Sequence, residues 1–102
     1  MARKRDKRPP LAVGHICLEV NNIAEAADWF VDIGMRTIFK GDSVAVLELR
    51  GGTHLVLQPT RRRSRASRPA PFDLMVDDID DVHAAWRAKG LKAGRIGRGR
   101  IP

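Results

Sequence analysis

The chain has 102 residues, a formal net charge of +7, one cysteine and no apolar run near the length of a membrane span. One small domain is therefore expected, and a single thiol, Cys17, excludes an intrachain disulfide, which fits a reducing compartment. Basic residues crowd Arg3–Arg8, then Arg61–Arg68, then Arg95–Arg100, without an aromatic residue inside any cluster to stack on a base, so they read as solvated arms rather than a nucleic-acid site.

Residues 1–10 read as a disordered basic arm closed by Pro9 and Pro10. From Val13 to Val20 the sequence comes to alternate, with Ile16, Leu18 and Val20 facing one way and His15, Cys17 and Glu19 the other. That period of two predicts a strand with one buried face. Asn22 is an apt N-cap for a helix over 23–33, whose apolar stripe is Ile23, Ala26, Ala27, Phe30 and Ile33, and Gly34 supplies its stop. Three strands are expected next, over 35–40, 43–50 and 53–58, separated by turns at Gly41-Asp42 and Gly51-Gly52. In the last of them Leu55 and Leu57 share one face, and His54, Val56 and Gln58 share the other.

Residues 60–70 form a linker rich in Arg, Ser and Pro. A second copy of the opening pattern then begins. Leu18, Val20, Ile23, Phe30, Gly34 and Met35 recur as Leu74, Val76, Ile79, Trp86, Gly90 and Leu91, each 56 residues on. The repeat predicts a strand over 72–76, a helix capped by Asp77-Asp78 with Val82, Ala85 and Trp86 on its apolar stripe, and a further strand starting at Leu91. The second copy runs to Pro102, the counterpart of Val46, and so is unfinished part-way through the counterpart of the strand over 43–50. The expected class is α+β, with two modules: about 11–59 complete as βαβββ, and about 71–102 incomplete at its C-terminus.

Four stretches carry a family resemblance: Gly14-His-Ile-Cys-Leu-Glu-Val, Trp29-Phe-Val-Asp-Ile-Gly-Met, Gly52-Thr-His-Leu-Val-Leu-Gln-Pro, and Phe72-Asp-Leu-Met-Val-Asp-Asp-Ile. With the βαβββ order, they resemble the vicinal oxygen chelate superfamily, which includes glyoxalase I, bleomycin- and fosfomycin-resistance proteins, methylmalonyl-CoA epimerase and extradiol dioxygenases. The resemblance implies paired βαβββ modules whose sheets curve into a cup that holds the ligand. It also implies, for the enzymes, a divalent metal held from the first and last strands of each module. His15 matches the first ligand position. The glutamate position of the last strand of module one falls on Val56, and the histidine position opening module two falls on Pro71.

With one family ligand at three visible positions, no cofactor is expected, and a divalent metal on His15 stands as the alternative. The expected cup is lined by His15, Cys17, Val56, Asp73 and Met75. Asp73 is an acid on the cleft face of an otherwise apolar stretch, where a carboxylate requires a partner or a ligand. Cys17 has no oriented base and reads as a small thiol rather than a nucleophile. His54 shares the face of Val56 but sits beside a Gly-Gly turn and reads as solvated, while His83, at the edge of a helix stripe, reads as structural.

Three functions follow. The first is a metal-free small-molecule binder, enclosed by a homodimer, in the cytoplasm. The second is a metal-dependent lyase, isomerase or dioxygenase of the glyoxalase type, in which the ion would act as a Lewis acid. The third is an anion- or nucleic-acid-binding module using the basic arm and linker.

Overall fold

The computed structural model describes residues 7–62 and 70–97. The chain divides into two compact units, Met1–Arg65 and Ala66–Pro102. Most of the predicted basic arm, most of the linker and the final arginines lie outside the described residues.

The first unit is βαβββ, as the hydropathy pattern requires. Strand β1 (His15–Val20) leads into helix α1 (Ile23–Ile33), followed by β2 (Arg36–Lys40), β3 (Ala45–Glu48), a single 3-10 turn over Arg50–Gly52, and β4 (His54–Pro59). The sheet order is β1-β4-β3-β2. β4 therefore enters the middle, parallel to β1 and antiparallel to β3. The Gly-Gly turn permits this because both glycines take positive φ, 79° and 85°, where a side chain would be strained. At the two ends of the parallel pair, the His54 amide donates to the Gly14 carbonyl at 2.8 Å and the Thr60 amide to the Val20 carbonyl at 2.9 Å.

Register decides the core. Ile16 and Leu18 on β1 lie beside Leu55 and Leu57 on β4, which in turn face Leu47 and Ala45 on β3. Leu47, Leu55 and Leu57 are fully buried. Helix α1 packs on strands β2, β3 and β4 with Ile23 and Ala27 inward. Ala45, with no side chain beyond Cβ, is also fully buried. Asn22 caps the helix by accepting the Glu25 amide at 2.9 Å, and Lys40 at the end of β2 bonds Asp28 at 2.7 Å.

In the second unit, helix α2 spans Ile79–Ala88. The 56-residue repeat holds here bond by bond. Asp78 accepts the Asp81 amide as Asn22 accepts Glu25, and the two caps have nearly the same φ and ψ, −137° and 105° against −133° and 104°. The Met35 amide donates to the Phe30 carbonyl, and the Leu91 amide donates to Trp86, both at 3.0 Å. Gly34 and Gly90 both stop their helices with positive φ. Ala85, expected on the apolar stripe, is exposed, whereas Val82, His83 and Trp86 are half-buried.

The strands expected over 72–76 and from Leu91 are not formed: both stretches are irregular among the described residues. A strand is defined by its ladder, and β1 owes its own to β4. Among the described residues, 72–76 has no such ladder partner.

Two substitutions test the packing. Leu57→Ala should cost about 2–5 kcal/mol, by lost transfer energy and a residual cavity, and lower the melting temperature sharply. Asn22→Ala should cost about 1 kcal/mol by removing the cap. Denaturant titration of both variants checks the ranking.

Candidate functional site

The alternation that buries the leucines points another set of side chains to the opposite face of the same sheet. Because paired residues of neighbouring strands share a face, the register arranges them in transverse rows. The first row runs His15, His54, Glu48, Arg36 across β1, β4, β3 and β2. The second runs Cys17, Val56, Val46, Phe39, and the third pairs Glu19 with Gln58. Successive rows are two residues apart, or about 6.7 Å along the strands. An apolar row is thus flanked by polar ones.

Within the first row the rings of His15 and His54 stack, centroids 5.6 Å apart and planes 26° apart. Glu48 is tied to Arg36 by an ion pair, so these two charges neutralise each other at the far end of the row. In the second row Phe39 reaches its place through a bulge. The register shifts between Thr37 and Phe39, so that Phe39 rather than Ile38 lies opposite Val46. Phe39 remains 53% exposed, and Cys17 is an exposed free thiol.

His15, Cys17 and Val56, three of the five residues expected to line the cup, thus share one face and two adjacent rows. Asp73 and Met75 belong to the second unit, both exposed, in the irregular segment before α2. Met75 is 94% exposed, against 37% and 38% for its neighbours Leu74 and Val76, so the expected in-out order survives there without a ladder. Sequence reasoning placed His54 on this face but not beside His15. The signal that could have found it was its position at the start of a strand with the same parity as β1. His83 is structural: its Nε2 lies 2.6 Å from the Gly94 carbonyl, tying the segment after α2 back to the helix.

The chain matches the model of the Glyoxalase/Bleomycin resistance protein/Dioxygenase superfamily over residues 12–100. Fold, repeat and match together make the chain a member of that superfamily. No curated protein matches it in sequence. Three solved structures show the same fold. One is a glyoxalase/bleomycin resistance protein/dioxygenase from Alicyclobacillus acidocaldarius, 21% identical with a TM-score of 0.62, covering 81% of this chain and 67% of that one. Another is a bleomycin resistance determinant encoded on the transposon Tn5, 16% identical with a TM-score of 0.64, covering 88% and 74%. A third is a lactoylglutathione lyase from Agrobacterium tumefaciens, 18% identical with a TM-score of 0.56, covering 81% and 73%.

Among the described residues, His15 is the one donor found at the ligand positions that the resemblance implies. On the same face, one row from His15 and beside Cys17, the β4 position expected to carry a carboxylate carries Val56, whose hydrocarbon side chain offers no lone pair. Among the described residues no group of three or more His, Cys, Asp or Glu side chains is arranged to hold an ion. No helix among them is long and apolar enough to cross a membrane. Val56→Glu should therefore raise affinity for divalent zinc or nickel by at least tenfold over the parent chain, as measured by calorimetric titration.

Proposed function

We propose that the protein binds an amphipathic small molecule on the uncovered face of its first sheet, without the family's full metal site. The arrangement that carries this is the apolar row Cys17–Val56–Val46–Phe39 between polar rows, opposite a core that holds the sheet rigid. Apolar side chains beside a few placed polar groups are what a small-molecule site requires. A homodimer encloses the ligand in this reading. Support for the dimer comes from β1 and β2, which are outer strands whose free edges proteins normally cover. A soluble cytoplasmic location accords with the single free thiol.

The test is a titration of the full chain, followed by amide NMR, with bleomycin and a panel of amphipathic arenes. The expected outcome is saturable perturbation centred on His15, Cys17 and Val56. Perturbation confined to the helices, or none across the panel, would overturn the proposal. For a compound that binds, His15→Ala should weaken affinity about ten- to hundredfold, the loss of a hydrogen bond to a charged group, with the melting temperature little changed.

A further inference from the structure

The polar row at one end of the apolar stripe is not uniform, and its asymmetry indicates what kind of molecule the face takes. Glu48 and Arg36 are committed to each other. The two imidazoles are not so matched. They stand side by side on neighbouring parallel strands, 5.6 Å between centroids, with planes only 26° apart. Each imidazole ring carries a donor N–H in either protonation state. Neighbouring rings can therefore offer one donor to each oxygen of a single carboxylate, in hydrogen bonds of about 2.8 Å. A ligand ammonium, which carries donors only, makes no use of these two N–H groups.

Next to the imidazoles, one row along, lie Cys17 and Val56, with Val46 and Phe39 extending the apolar strip across the sheet. The strip is one side chain wide and about 6.7 Å from the imidazole row. A flat hydrocarbon body attached directly to the anionic group would span that distance, and the exposed ring of Phe39 offers it an aromatic edge or face.

We infer that the ligand is an aryl carboxylate, its carboxylate bridging His15 and His54 and its ring lying over Val56, Val46 and Phe39. The inference rests on the proposed binding role of this face and narrows it to a chemical class. The net charge of +7 adds a general attraction for anions, but this long-range field is screened by salt, whereas the two-imidazole contact is local.

The experiment compares naphthoate with naphthylmethylamine, which has the same ring system and the opposite charge, by calorimetry and NMR at physiological ionic strength. Naphthoate should bind at least tenfold more tightly, perturbing His15, His54 and Val56. His15→Phe and His54→Phe keep a ring in place but lose the N–H, and each should lower naphthoate affinity at least fivefold while leaving the amine unaffected. His54→Gln, which restores a donor, should recover part of the loss. Melting temperatures near the parent value certify that these variants are folded. Equal affinity of the two arenes at this face would overturn the carboxylate inference and leave small-molecule binding standing. Loss of both arenes from the face would overturn the two together. Naphthoate binding that survives both phenylalanine substitutions would place the anion elsewhere and sink the inference.

Discussion

The parallel pairing of β1 with β4 is the constraint on which the rest of the first unit depends. It brings residues 39 apart in sequence into register, His15 with His54 through Val20 with Pro59. That single alignment stacks Ile16 and Leu18 beside Leu55 and Leu57 on the helix side. On the other side it stacks His15 and Cys17 beside His54 and Val56. A slip of one residue would exchange the two faces, putting histidine into the core and leucine into water. Core and candidate site are therefore one decision, enforced by burial of the leucines at roughly 25 cal/mol per Å² of apolar surface.

The pairing is held at its margins by polar contacts that the hydrophobic pattern does not show. Thr53 donates its hydroxyl to the Val13 carbonyl at 2.7 Å, just before the strands meet. At the far end the Asn21 amide group donates to the carbonyls of Thr60 and Arg62, at 2.9 and 2.8 Å. These bonds join the β1–α1 turn to the chain leaving β4. The residue that makes them stands immediately ahead of the N-cap Asn22.

The second unit shows how far local sequence carries structure without a sheet. Its helix reproduces the first helix down to the cap geometry and the closing bond, because capping and glycine stops are decided within a few residues. Its flanking segments retain the alternation of Leu74, Met75 and Val76 but not the strand. Strand formation needs a partner ladder, and alternation alone does not supply one.

The sequence by itself determined the α+β class, the order of elements in the first unit, the repeat, both helix caps and the two faces of β1 and β4. All of these are encoded at short range, by periods of two or 3.6 and by glycine and asparagine at their turns. Family membership was legible in the same stretches. Only tertiary structure decided which residues meet across strands. Nothing local places His54 beside His15, since that contact depends on β4 entering the sheet next to β1 rather than at its edge. Nor does alternation select Phe39 for the apolar row. Counting by twos from Arg36 would choose Ile38, and it is the bulge between Thr37 and Phe39, set by pairing with β3, that turns the aromatic ring onto the site face.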